Sequence, residues 1–321
     1  MRVTARAFWT VAPGRGEIRE EEFSPPRDIE VRVRTLASGI SRGTESLVFA
    51  GRVPPSQYAV MRAPLMGGEF PFPVKYGYSA VGLTDAGARV FVLHPHQDLF
   101  VAPAAMCIAV PETVPTPRAV LAANMETALN IVWDAAPLAG ERILVIGAGV
   151  VGLLTASLLA RGPGAQVTVV DINPARAALG EKFGCAFATP DAAPPEQELI
   201  VHASGTEQGL RLALARAAFE GRIIEGSWFG DFSPALPLGE AFHARRLRII
   251  ASQVGSVATS MRGRRTHSER LALALNLLAD DRYDALLGGA TTFENLPRAM
   301  PRLLAGGLCH LVTYGNDACS A

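Results

Sequence analysis

The 321-residue chain has little of what would place it outside the cell, in a membrane or on nucleic acid. Cysteine is scarce: Cys107, Cys185, Cys309 and Cys319 are scattered, with no CxxC pair and no neighbouring Cys/His cluster. That pattern argues against a disulfide framework and a zinc knuckle, and it fits a reducing, cytoplasmic setting. An excess of charge of one sign is missing too. Thirty basic residues balance thirty acidic ones, so no global field draws the chain to nucleic acid or an anionic membrane. The start, MRVTARAFW, lacks the apolar core and cleavage site of a signal peptide, so secretion is not expected. Ile143 to Ala160 is apolar enough to mimic a membrane span, but it carries three glycines at turn spacing behind a strand-like ILVI. It reads as strand, turn and buried helix.

What is present suffices for two cores. Hydrophobic residues make up 49% of the chain, enough for two ordinary domains. Short β-type runs at Ile29 to Leu36, Ser79 to Leu83 and Arg89 to Leu93 alternate with proline and glycine clusters such as SPP, RVPPS and PFP. They predict a compact, mostly β domain over residues 1–117. From Pro117 an alanine-rich helical pattern takes over. Strands then alternate with helices: ILVIG, QVTVVD, LIVHAS, RIIEG and LRIIASQVG, with helices after the first strand, from Pro174 and near Leu210. Such alternation predicts an α/β, doubly wound parallel sheet over residues 118–284. A helical stretch at Leu271 to Leu278, the segment NLPRAMPRLLAGG and a strand CHLVTY follow, and NDACSA reads as a frayed tail.

The segment GAGVVG, residues 147 to 152, sits where a strand gives way to a helix. Gly147 permits the tight turn, Gly149 lets the backbone approach a pyrophosphate, and Gly152 lets helix pack on strand. Val150 and Val151 open the helix, whose free N–H groups and partial positive charge suit phosphates. Asp171 ends the second strand about 20 residues on, the spacing of the acid that binds the adenosine ribose. Ile172 and Asn173 adjoin it. A carboxylate there repels a 2′-phosphate and favours NAD over NADP, although Arg176 in DINPAR is near enough in sequence to accept one. VHASG should end the fourth strand beside the nicotinamide half, placing Ala203, Ser204 and Gly205 at the cofactor. The ends of the fifth and sixth strands are expected at GSWFG and SQVGS. His202 is read as structural.

With these residues in place, nearly the whole chain resembles the medium-chain dehydrogenase/reductase superfamily of alcohol dehydrogenase type. The resemblance implies a GroES-like β-rich catalytic domain, completed by residues 285–321, joined to a Rossmann unit. Residues 39 to 45, GISRGTE, resemble the family's glycine-isoleucine-cysteine segment, and residues 77 to 82, GYSAVG, its glycine-histidine-glutamate segment. Ser41 then stands where the zinc cysteine is expected, Tyr78 where the histidine is and Ser79 where the glutamate is. Hydroxyls are poor zinc donors, so the resemblance implies a zinc-lacking member. Leu93 to Pro103 also lacks the cysteines of the family's structural zinc lobe. The motif pair is most similar to that of a zinc-lacking dehydrogenase of bacteriochlorophyll synthesis, which implies alcohol and ketone chemistry without naming a substrate.

A site without zinc needs a positioned donor or proton shuttle where charge develops on oxygen. Arg42 is a candidate to stabilise an alkoxide, Thr44 to relay a proton, and Tyr78 to donate a hydrogen bond to a carbonyl. Arg42 with Glu45 reads equally as a salt bridge, and Tyr78 as packing. His94 and His96 in HPHQD are candidates for proton exchange or, with Asp98, a metal site; a hydrogen-bonded structural loop is the alternative. Ser41, Glu45, Glu126, Trp228 and Phe229 are expected to line the substrate pocket. The run Arg262, Arg264, Arg265, His267 and Arg270 reads as a solvated face, or as a selector of an anionic substrate if it bends over the cleft. The chain is thus expected to be a zinc-independent, NAD(H)-dependent oxidoreductase acting on an alcohol or ketone. An NADPH-type enone or quinone reductase, or a non-catalytic nucleotide-binding protein, is the alternative. A homodimer paired through LRIIASQ is expected at the family level, with no nucleic-acid or membrane partner.

Overall fold

The computed structural model describes residues 3–315, so Cys319 and the expected frayed tail lie outside the described residues. The chain packs as two compact units: one ends at Ala123 and resumes at Leu271, the other is Asn124–Arg270. The sequence reading drew these borders at 117/118 and 284/285. Arg118 accounts for part of the difference. Its guanidinium holds both Asp284 carboxylate oxygens at 2.7 Å and the Leu278 and Ala279 carbonyls at 3.2 and 3.1 Å, which ties together the two segments of the first unit.

In the first unit the strand Glu30–Ile40 is central. It pairs antiparallel with Ala80–Thr84, with Leu99–Pro103 and with the late strand Cys309–Thr313, in the register Val312 to Ser38. Its first three residues are half-buried, and residues 35–40 are buried on both faces. Among the elements that the sequence reading did not name are two near the start of the chain. Arg15–Phe23, RGEIREEEF, completes an antiparallel hairpin with Val3–Ala12 despite its charge. Glu21 in it accepts from Trp9 Nε1 and Lys75 Nζ, both at 2.6 Å, so the charges are paired on a half-buried face. Arg42–Phe49 is a helix, with Val48 and Phe49 on its buried side.

The second unit is a six-stranded parallel sheet. Its order is Ala186–Ala188, Gln166–Val170, Arg142–Ile146, Gln197–His202, Ala217–Glu225 and Arg248–Ala251. This is the doubly wound 3-2-1-4-5-6 arrangement, with its reversal between the first and fourth strands. The third strand has only three residues, AFA, too short to show a period in the sequence. The helix Val150–Leu159 is apolar on nearly every side and buried, so Ile143 to Ala160 is strand, turn and helix, as its glycines require. Among the described residues no helix is long and apolar enough to cross a membrane.

One buried cation closes this unit. Glu126, Asn130 and Asp134, four residues apart, share one face of the helix Ala122–Ala135. Arg270, 1% exposed, places Nε 3.0 Å from Glu126 Oε1 and also donates to Asn130 Oδ1 and to the Val254 and Ser256 carbonyls. Asp134 accepts from Ser252. The loop after the sixth strand is thereby fastened to the helix before the first. Burial holds the Glu126 carboxyl above its usual range and outweighs the opposing pull of Arg270. Replacing one partner of such a pair costs about 3–5 kcal/mol, whereas replacing both is far milder. Arg270→Met should therefore destabilise the protein by about that amount in denaturant melts, and adding Glu126→Leu should recover most of it. A single-variant loss below about 1 kcal/mol would contradict the buried pair.

Candidate functional site

The second unit forms the glycine turn as expected. Gly147 has φ +109°, and a Cβ there would lie 2.8 Å from Ser204 N and the Ala203 carbonyl carbon. A Cβ on Gly152 would collide with the Gly147 carbonyl oxygen. At Gly149, by contrast, a Cβ would meet nothing within 4 Å. Gly149 is the N-cap of Val150–Leu159, and no side chain caps that helix. The turn is thus closed toward the protein and open toward a ligand at the end of the helix where N–H groups lack acceptors, which fits a pyrophosphate.

Asp171 sits at the rim. Its carboxylate accepts from Ala148 N at 2.7 Å and from Asn173 N at 2.8 Å, so the turn itself orients it. Ile172 is 86% exposed beside it, Asn173 caps the short turn Pro174–Arg176 through Ala175 N, and Arg176 is half-buried. At the fourth strand end, His202 spends both ring nitrogens, on Glu225 Oε2 at 2.7 Å and Ser204 Oγ at 2.6 Å. Gly205 N donates to Ser227 Oγ. Phe229 stacks on the His202 ring and, like Trp228, is half-buried at the end of the fifth strand.

The first unit brings three of the expected hydroxyls together. Tyr78 donates to Ser41 Oγ at 2.7 Å, and Thr44 hydrogen-bonds the same phenol. Burial, with the Glu45 charge behind it, pushes Tyr78 up to about 12, so the phenol keeps its proton at neutral pH. Ser79 donates to the Val120 carbonyl and serves the fold. Arg42 stands exposed on the first turn of its helix and does not pair with Glu45. Glu45 instead reaches back to accept from Ser41 N at 2.7 Å and faces His96 Nε2 at 3.0 Å. It is 3% exposed with both oxygens engaged, and the cavity it borders together with Phe8, Phe49, Tyr76 and Met300 is only about 10 Å³, too small for a substrate.

Several other expectations need correction. His94 and His96 do not form a shared proton-exchange or metal centre with Asp98. His94 is buried against Phe100, with ring centroids 3.7 Å apart, and bonds the Pro95 carbonyl. Desolvation pulls it down to about 3, so it is neutral at physiological pH. Asp98 is bound to Arg6 Nε and N, both at 2.8 Å. His96 lies between Glu45 and Ser38, whose Oγ is 2.7 Å from His96 Nδ1 and 2.8 Å from the Tyr314 hydroxyl. Among the described residues no group of three histidine, cysteine or acidic side chains is placed to hold a metal. Glu126 is consumed by Arg270 rather than facing substrate. Of the basic run, Arg262, Arg264, Arg265 and His267 are exposed, and Arg270 has turned inward. Ser38 and Tyr314 were not foreseen. They meet across 276 residues of sequence, and neither carries a local motif.

Comparison with known proteins places this geometry in context. The family model for the alanine dehydrogenase/PNT C-terminal domain matches residues 125–215, less than half of the chain, spanning the glycine turn and the first four strands of the parallel sheet. No curated protein matches. Among solved structures, an alcohol dehydrogenase from Escherichia coli CFT073 complexed with NADH is 18% identical, with 97% of this chain and 99% of that one covered and a TM-score of 0.77. A protein from Sinorhizobium meliloti 1021 bound to NADP is 16% identical, with 97% and 99% covered and a TM-score of 0.76. The 2R,3R-butanediol dehydrogenase of Bacillus subtilis is 14% identical, with 96% and 99% covered and a TM-score of 0.76. At these identities the likeness is one of fold: a GroES-like β-rich unit with a Rossmann unit.

The state of His94 has a measurable consequence. Unfolded, its imidazole binds a proton below about 6.5; folded, it does so only near 3. Between those values the unfolded state holds more protons, so stability falls as pH falls, by about 1.4 kcal/mol per unit from this group. His94→Phe, which retains a ring to stack on Phe100, should flatten that limb in melts between about pH 6 and 4. An unchanged slope would show that His94 is protonated in the fold.

Proposed function

We propose that this chain is an NAD(H)-dependent oxidoreductase that interconverts an alcohol and a ketone without zinc, with Tyr78 as the proton donor. The observation that carries the reading is the glycine turn: sterically closed at Gly147 and Gly152, open at Gly149, with the Asp171 carboxylate fixed at its rim. The dehydrogenase names of the structural neighbours, one solved with NADH and one with NADP, support a nicotinamide nucleotide. Asp171 supports NAD, because a carboxylate held there accepts ribose hydroxyls and repels a 2′-phosphate. Ile172 offers an exposed apolar surface for the adenine, and Ala203, Ser204 and Gly205 follow the end of the fourth strand, where the nicotinamide half would lie. Trp228 and Phe229 supply apolar wall.

Zinc independence rests on the donor set. Ser41 and Tyr78 bond one another, Ser79 bonds a backbone carbonyl, and hydroxyls of this kind bind zinc poorly. The bound nicotinamide supplies the hydride. Reduction of a carbonyl leaves negative charge on its oxygen, and the Tyr78 hydroxyl would be the group of this chain that gives that oxygen a proton. Ser41 and Thr44 are placed to pass a replacement proton to the phenol. The phenol is protonated at neutral pH and is still more acidic than an ordinary alcohol, so its proton can pass to an alkoxide. Arg42, exposed on the same helix, is the cation we assign to stabilise a developing alkoxide. We read the protein as a cytoplasmic homodimer paired through the edge strand Arg248–Ala251, where Ile249 is 37% exposed; a monomer by light scattering would overturn the pairing.

Nucleotide titrations followed by intrinsic fluorescence test the cofactor assignment. NADH should bind at least about tenfold more tightly than NADPH, and Asp171→Ser should erase the preference. Equal affinities for the native protein, or binding of neither nucleotide, would refute the NAD assignment. Tyr78→Phe should lower kcat by about 10²–10⁴-fold with carbonyl substrates and leave NADH affinity unchanged. A Tyr78→Phe variant of full activity would remove the phenol from the mechanism.

A further inference from the structure

Two segments far apart in sequence build the hydroxyl cluster: Ser41 and Thr44 begin one helix, and Tyr78 follows Gly77. Both rest on the same imidazole. His96 meets the first through Glu45, whose other oxygen holds Ser41 N. It meets the second by packing. Gly77 has φ +125°, and a Cβ there would lie 3.1 Å from His96 Cδ2 and 3.2 Å from Nε2, so the chain next to Tyr78 lies directly against the ring.

His96 Nε2 faces the Glu45 carboxylate, which can only accept, and Ser38 Oγ links His96 Nδ1 to the Tyr314 hydroxyl. Ser41 N–H reaches the same carboxylate from the other side. Ser38 lies on the central strand Glu30–Ile40, and Tyr314 follows Cys309–Thr313, which pairs with it. The helix start is thus bolted to the sheet through a row of buried donors that ends on one anion.

We propose that His96 and Glu45 are a positioning pair that sets the Tyr78–Ser41–Thr44 hydroxyl geometry for proton delivery, a role that rests on the function proposed above. Neither residue touches the reacting atoms. The Glu45 charge also faces Tyr76, Tyr78, Cys309 and Tyr314, and it contributes to holding each of them in its neutral form. Reach and charge are therefore separable parts of its role.

The test uses the full chain with two substitutions at Glu45. Glu45→Gln keeps the reach and removes the charge; Glu45→Asp keeps the charge and shortens the reach. Tyrosinate absorbance against pH, with Tyr78→Phe to assign the signal, should show Tyr78 titrating about one unit lower in Glu45→Gln and unmoved in Glu45→Asp. In both variants kcat should fall about 10–100-fold with NADH affinity unchanged, and the basic limb of kcat/KM should shift only in Glu45→Gln. An unmoved Tyr78 titration in a folded Glu45→Gln, or full kcat in Glu45→Asp, would overturn the proposal. If Glu45→Gln fails to fold, the kcat of Glu45→Asp still decides. Failure of the native protein to bind NADH would instead sink the functional reading, and the tyrosinate titration would still report on the pair.

Discussion

A single buried carboxylate organises the first unit. Taking an ion such as Glu45 out of water costs several kcal/mol, so it persists only where donors surround it. Here the donors are Ser41 N and His96, and through His96 the Ser38 and Tyr314 hydroxyls. Meeting that demand sets the start of one helix, the position of the HPH loop and the contact at Gly77 together. The hydroxyls above this layer are neutral and hydrogen-bonded to one another. The unit therefore keeps one carboxylate fully inside, beneath a layer of neutral hydroxyls.

The second unit is governed by steric constraint. Its glycine turn excludes side chains at Gly147 and Gly152 because backbone already fills those places, and it leaves Gly149 clear. The turn in turn places Ala148 N against Asp171, so the acid at the rim is oriented by the loop it serves. Loop geometry and the direction of that carboxylate are linked by the one hydrogen bond.

What could be read from the sequence follows from the range of the forces involved. The strand-turn-helix at 142–159 and the acid after the second strand are local patterns, and the structure repeats them. The doubly wound sheet was legible in its alternation, except for the AFA strand, which is too short to show a period. Arg15–Phe23 was hidden because its glutamates gain from Trp9 and Lys75 contacts that no local window contains. The hydroxyl partners Ser41, Thr44 and Tyr78 were legible through motif resemblance. The roles of His94, His96, Glu45 and Glu126 were not. Each depends on a partner brought in by the fold: Phe100 stacking on His94, Glu45 set against His96 across 51 residues, and Arg270 reaching Glu126 across 144.

The Arg270 contact also bears on how the chain is made. All six strands of the parallel sheet have been synthesised once Ala251 is in place, yet the acid on the helix before the first strand still lacks its cation. Glu126 has no cation to pair with until Arg270, nineteen residues beyond Ala251, has emerged as well. The sheet can pair early and lock late. During that interval the nascent unit is compact and unfinished, the state in which partly folded chains are most exposed to misassembly.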